Sequence, residues 1–213
     1  MTPGIVTDRA AHFLVQEALR PVDRHGIGWG LHPFAVARAL ALLEVQPPED
    51  PTVGLRLLEF GSGGSTLSWR EAPWPMSVQT FDHNPEYADA AATIRPLAYY
   101  PPVPGVPAAL WGRPRTTVGV DQGSRAVDTF YALETGDLSG LYDCVVLDGP
   151  FGHGRSLIFP LLAQHLAPGG LLVIDDTNDY PFWADAQAAF RGDLTLLWET
   201  GADHGTMIAR NAF

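Results

Sequence analysis

The sequence contains no lysine; all thirteen of its basic residues are arginine. That absence removes whole classes of chemistry. A P-loop needs its Gly-Lys-Ser/Thr lysine, a pyridoxal phosphate enzyme needs a lysine for its Schiff base, and a short-chain dehydrogenase needs a Tyr-x-x-x-Lys pair. Cysteine is almost as scarce. Cys144 stands alone in "YDCVVLDG", so no internal disulfide can form, and its apolar surroundings read as those of a small buried hydrophobe. No apolar run approaches the roughly 20 residues of a membrane span. The opening "MTPGIVTDRAAHF" lacks a basic region followed by an apolar segment, so the expectation is a cytoplasmic chain with no membrane partner. Positive charge is in deficit as well. A net charge of −11 argues against a nucleic-acid partner, which requires clustered basic residues. A small or neutral substrate fits this balance better.

The chain has 213 residues, 46% of them hydrophobic. That length suits a single domain burying roughly 70% of the surface its unfolded form exposes. Apolar residues recur at three- and four-residue spacing over residues 8–19 and 33–43, which predicts two helices. From residue 55 onward the pattern changes to short apolar runs alternating with helical segments: "LRLLEFG", "SVQTFDH", "TTVGVD", "YDCVVLDG", "LLVIDD", "LTLLWET" and "GTMIAR". Such alternation predicts an α/β fold, with a doubly wound, mostly parallel seven-stranded sheet and helices on both faces. The last two runs are separated only by "GADH" and predict a C-terminal antiparallel hairpin. Residues 1–54 are then an N-terminal helical cover and residues 55–213 the core of one domain. Residues 95–117 carry six prolines and read either as an ordered surface loop or as a lid.

The stretch "LLEFGSGGSTLSW" places glycines after a strand and before a helix. This arrangement turns free backbone N–H groups toward the carboxyl edge of a sheet, where ligands bind. Gly61 and Gly63 permit a tight turn and close backbone approach. The spacing lacks the third glycine of the dinucleotide fingerprint, which weakens an NAD-type oxidoreductase reading. Glu59, just before the turn, would repel a pyrophosphate but attract a cation. Asp82 closes the next strand, 21 residues after Gly61, where a carboxylate can accept hydrogen bonds from ribose hydroxyls. Asp82 also reads as an N-cap for a helix starting near Pro85. The ligand so described carries a ribose and positive charge, with no phosphate at the turn.

With these residues in place the sequence resembles the class I S-adenosylmethionine-dependent methyltransferases. Their Glu/Asp-x-Gly-x-Gly signature matches Glu59, Gly61 and Gly63, and their ribose acid matches Asp82 in "TFDHNPEY". Their fourth and fifth strands look like "YDCVVLDGP" and "LAPGGLLVIDD". The resemblance covers residues 55–210 and implies a Rossmann-like core with S-adenosylmethionine as cofactor. It implies that Glu59, Gly61, Ser62 and Gly63 face the methionine part, with Ser65 adding a hydroxyl contact. It sets His83 beside the adenine and Asp121 at its amino group, and it counts Asp148 among the cofactor-binding residues. A protein that binds the cofactor without catalysis stays open as an alternative.

Asp148, Asp175 and Asp176 end two adjacent strands, and uncompensated carboxylates in one place repel one another. Two readings stand. By similarity to catechol and macrocin-type O-methyltransferases, the three hold Mg²⁺ or another divalent cation, with Asn178 as an addition. Otherwise Asp148 accepts backbone N–H bonds and Asp176 caps the next helix. The catechol pattern's lysine is replaced here by Phe151, which leaves His153 as the catalytic base beside Asp148. Arg155 would neutralise an acid or hold an anionic substrate. Trp29, His32 and Phe34 are expected near the pocket mouth or in the core. The expected reaction is methylation of a small-molecule acceptor, at oxygen, and a homodimer stays open.

Overall fold

The computed structural model describes residues 31, 33–44, 54–72, 75–86, 88, 91–100, 116–117, 128–201 and 204–213. Helix α1 spans Pro33–Glu44. It is followed by β1 (Leu55–Phe60), α2 (Gly64–Arg70), β2 (Met76–Asp82), β3 (Thr93–Ile94), β4 (Leu97–Tyr99), β5 (Thr116–Thr117), β6 (Thr129–Tyr131) and β7 (Tyr142–Leu147). A 3-10 helix at His153–Ile158 leads into α3 (Phe159–His165), then β8 (Leu166–Asp175), α4 (Phe182–Ala189), β9 (Leu194–Thr200) and β10 (Thr206–Asn211).

Seven strands form the main sheet in the order β3-β2-β1-β7-β8-β10-β9. The pairs from β3 through to β8 are parallel, while β10 runs antiparallel to both β8 and β9. The terminal hairpin is therefore as the turn residues implied. The chain steps outward from β1 through β2 to β3 and then returns to the other side of β1 at β7. That reversal is a topological switch point, and in open α/β sheets the crevice for ligands lies there.

The central strands are apolar on consecutive residues because helices cover both faces. Leu55 and Leu57 of β1 join one core with Cys144, Val146, Leu171 and Val173, under α1 and Trp69 of α2. Leu58 and Phe60 point the opposite way, into a core with Val145, Leu147, Leu172 and Ile174 that α3 and α4 close through Phe159, Leu162, Phe182 and Ala186. Each large side chain so buried contributes roughly 1.5–3 kcal/mol from surface removed from water. Glu59 lies between Leu58 and Phe60, and alternation sends its carboxylate to the α1 and α2 face. No described helix is long and apolar enough to cross a membrane.

One strand differs from the sequence expectation. The run "TTVGVD" was to supply the third strand of the main sheet, but Thr116–Thr117 pair with β4 in a separate three-stranded sheet of order β5-β4-β6. The third place in the main sheet goes to Thr93–Ile94, which pairs with Phe81 and Asp82. Two residues are too few to show any alternation, so periodicity cannot reveal such a strand. Part of the proline-rich segment is thus β4, Leu97–Tyr99, held against β6 from Leu97↔Tyr131 to Tyr99↔Thr129. The first expected helix, Trp29, His32 and Asp121 lie outside the described residues.

Candidate functional site

Two turns meet at the switch point. After β1, Gly61 adopts φ +90°, and a Cβ there would lie 2.7 Å from the nitrogen of Gly149. Gly149 follows β7, and a Cβ on it would lie 2.8 Å from the Gly61 Cα and 2.6 Å from the Tyr131 hydroxyl. Only glycines allow this approach. The turns are tied together by the Phe60 carbonyl, which accepts from the N–H groups of Asp148 (2.9 Å) and Gly149 (2.7 Å). By contrast, a Cβ on Gly63 would meet nothing within 4 Å. The backbone there opens onto free space.

Glu59 is fully buried beneath this turn. Its carboxylate accepts from the Ser65 hydroxyl (2.7 Å), the Thr66 hydroxyl (2.5 Å) and the Trp69 indole N–H (2.9 Å). Burial pushes its pKa up, and these hydrogen bonds pull it back only in part. Glu59 and Ser65 were expected to contact the ligand directly. The structure instead engages them with each other, as a strut that anchors the start of α2 to β1. Thr66 completes the strut by accepting from the Gly63 N–H (2.9 Å).

Asp82 joins β2 to the same turn. One oxygen accepts from the Ser62 N–H (2.8 Å) and hydroxyl (3.1 Å), and the other from the N–H groups of His83 (2.6 Å) and Asn84 (2.9 Å). Burial opposes ionisation, yet His83 and the backbone donors of Asn84 and Ser62 outweigh it, so the pKa falls below its ordinary value. The helix expected near Pro85 is not formed among the described residues, where Pro85 and Glu86 lie in a turn, so Asp82 closes that turn rather than capping a helix. His83 Nδ1 lies 3.4 Å from Asp82, and its ring is tilted toward Tyr131 at 5.9 Å.

The acids on the β7 and β8 side are arranged differently. Asp148 keeps a partly exposed surface, but its carboxyl group is enclosed by protein, and burial followed by the charge of Asp175 raises its pKa well above the usual range. It accepts from the Leu31 N–H (2.9 Å) and hydrogen-bonds to Asp175. Asp175 accepts from the Thr206 hydroxyl (2.5 Å), and burial raises its pKa too. Asp176, with φ +58°, pairs with Arg155 at 2.6 Å. Arg155 is 1% exposed. Its remaining donors reach the carbonyls of Pro150 (2.8 Å), Asp175 (3.1 Å) and Asp148 (2.9 Å). The guanidinium therefore locks the ends of β7 and β8 together.

This geometry corrects the metal expectation. Asp148, Asp175 and Asp176 do not all bring ligand atoms within 4.8 Å of one another; among the described residues, the group that does is Asp176, Asp179 and His204. Asp148 hydrogen-bonds to Asp175, and Asp176 is paired with a buried guanidinium. The arrangement gives no support to a divalent ion among these three acids. The structural alternative holds for Asp148, which accepts a backbone N–H. Asp176 instead pairs with Arg155, and Pro181 occupies the cap position of α4.

His153 opens the 3-10 helix after the β7 turn. Its Nε2 lies 2.8 Å from Asp185, which also accepts from the Ser156 hydroxyl (2.6 Å). The ring stacks on Tyr180 at 5.9 Å and 18°. With Nε2 donating to Asp185, Nδ1 carries the free lone pair. Phe34 of α1 is 60% exposed. Sequence reasoning missed Asp185 and Tyr131, which belong to no motif, and left the role of Arg155 undecided.

No family model matches the chain, and no curated protein matches it. Solved structures do resemble it. The N-methyltransferase NodS from Bradyrhizobium japonicum WM9 in complex with S-adenosyl-L-homocysteine is 16% identical, covering 97% of this chain and 100% of that one, with a TM-score of 0.41. CalS10, an amino pentose methyltransferase from Micromonospora echinaspora with bound S-adenosylmethionine, is 14% identical over 84% of this chain and 91% of that one (TM-score 0.44). A TehB-like S-adenosylmethionine-dependent methyltransferase from Corynebacterium glutamicum is 15% identical over 94% and 98% (TM-score 0.44). These likenesses are remote, and the chemistry of the site rests on its own residues.

Proposed function

We propose that this chain is an S-adenosylmethionine-dependent methyltransferase acting on an oxygen of a small-molecule acceptor. The carrying observation is the meeting of Gly61 and Gly149 at the switch point, with open space above Gly63 and Asp82 binding the glycine turn through Ser62. Such a turn admits a ligand against bare backbone. Asp82, whose charged form is favoured beside the turn, favours a ligand bearing positive charge over a pyrophosphate. Sulfonium and ammonium groups on a nucleoside meet that description. The residues 61–63 turn receives the cofactor, while Glu59 acts from beneath by holding the turn.

Methyl transfer is an in-line displacement that depends on positioning. The acceptor oxygen bonds to the methyl carbon as the carbon–sulfur bond breaks, the sulfur keeps the electron pair, and the acceptor's proton leaves to a base. His153 is the proposed base, with Asp185 orienting the ring so that Nδ1 receives the proton. Its stacking on Tyr180 supplies an aromatic wall for the acceptor. A net charge of −11 supports a small acceptor rather than a nucleic acid.

The test is calorimetric titration of the protein with S-adenosylhomocysteine and, separately, with NAD. Saturable heat with the first and none with the second is expected. The reverse pattern would overturn the proposal.

A further inference from the structure

Tyr131 is wholly buried, and its hydroxyl has no hydrogen-bond partner among the described residues. Native structures seldom leave a buried hydroxyl unmatched, so each such group calls for a physical reason. Its position suggests one. The ring stacks on Phe60 at 5.8 Å and meets Phe130 edge-on at 5.0 Å, which aims the phenol toward the carboxyl edge of the sheet. The hydroxyl ends where the two glycine turns touch, 2.6 Å from where a Gly149 Cβ would be. The ring centre of His83, whose Nδ1 lies 3.4 Å from Asp82, is 5.9 Å from that of Tyr131.

Asp82 has little left to offer a ligand, because its two oxygens already accept four donors from Ser62, His83 and Asn84. A ribose seated over residues 61–63 therefore needs other partners. We propose that Tyr131 is a ligand-contact residue whose hydroxyl donates to a ribose hydroxyl of the bound nucleoside. A ribose hydroxyl can accept that bond while donating elsewhere. Burial, together with the charges of Asp82 and other nearby acids, keeps the phenol protonated and able to donate. The identity of the nucleoside rests on the methyltransferase reading.

The experiment compares wild type and Tyr131→Phe by calorimetry with S-adenosylhomocysteine and its 2′-deoxy and 3′-deoxy analogues, alongside thermal melts without ligand. The variant should bind S-adenosylhomocysteine about tenfold more weakly. One deoxy analogue, lacking the contacted hydroxyl, should bind both proteins equally, as a double-mutant cycle requires. Without ligand the variant should melt at the same temperature or higher, because the hydroxyl removed had no partner. Equal affinity of both proteins for S-adenosylhomocysteine overturns the inference. So does an equal loss for both deoxy analogues, or a fall in the ligand-free melting temperature, which would mark a structural hydroxyl. A wild type that binds no S-adenosylhomocysteine overturns the methyltransferase reading, and this inference with it.

Discussion

Asp82 and Asp148 each close a parallel strand beside a glycine turn, and in the sequence they look alike. Around Asp82, backbone N–H groups and Ser62 supply donors to both oxygens, and the carboxylate is held ionised. Around Asp148 the neighbours are another acid and a single N–H from Leu31, and burial with the charge of Asp175 raises the pKa of the carboxyl group well above its ordinary value. The protonation of a buried acid thus follows the donors its neighbourhood provides. Arg155 explains part of the difference. It pairs with Asp176 and donates to three carbonyls, and none of these four bonds goes to the carboxyl group of Asp148.

The comparison is broken most severely at Arg155. Arg155→Ala leaves Asp176 without its counter-ion and three carbonyls without donors, and should cost about 3–5 kcal/mol in urea denaturation. A loss below about 1 kcal/mol would mean that the clamp contributes little.

Asp82→Asn comes next. An amide replaces one of two acceptor oxygens with a donor facing other donors, at a cost of about 1–3 kcal/mol. The pH dependence has a definite sign. Because folding lowers the pKa of Asp82, its stabilisation is present above the ordinary value of 3.8 and is lost as pH falls through the lower folded value. Melts at descending pH should show a shallower decline in the variant than in wild type.

Asp148→Asn should be the mildest, within about 0.5 kcal/mol at acid pH, since asparagine mimics a protonated carboxyl group that accepts from Leu31 and donates to Asp175. Here the sign is opposite. A raised folded pKa gives stability that is full below 3.8 and is lost as pH rises through the folded value. The variant should therefore gain on wild type as pH increases. A steep loss at all pH values would show that Asp148 is needed as a carboxylate.

Much of the frame was legible in the sequence. The runs at β1, β7 and β8 announced themselves because strands covered on both faces are mostly apolar on consecutive residues, and those at β2, β9 and β10 were marked by shorter apolar stretches. The glycines at 61 and 63 and the acids at 59 and 82 stood out for the same local reason. The two-residue β3 did not, and neither did the small sheet of β4, β5 and β6, whose strands are too short to carry a period. Tyr131 was invisible for a different reason. A lone tyrosine in "DTFYAL" looks like core, and only pairing with β4 brings its hydroxyl to the joined glycine turns.

Local chemistry alone determined which strand ends could carry ligands, and the missing lysines determined which reactions were closed to them. Which acids face outward was decided only in three dimensions. Glu59 looked like a ligand for a cation, and packing turned it under α2 onto Ser65, Thr66 and Trp69. Asp148, Asp175 and Asp176 looked like a metal site, and the fold sets Arg155 against Asp176 and hydrogen-bonds Asp148 to Asp175. Charge type is written in the chain, but the partner that balances each charge is chosen by the fold, because only folding sets the distances over which electrostatics acts.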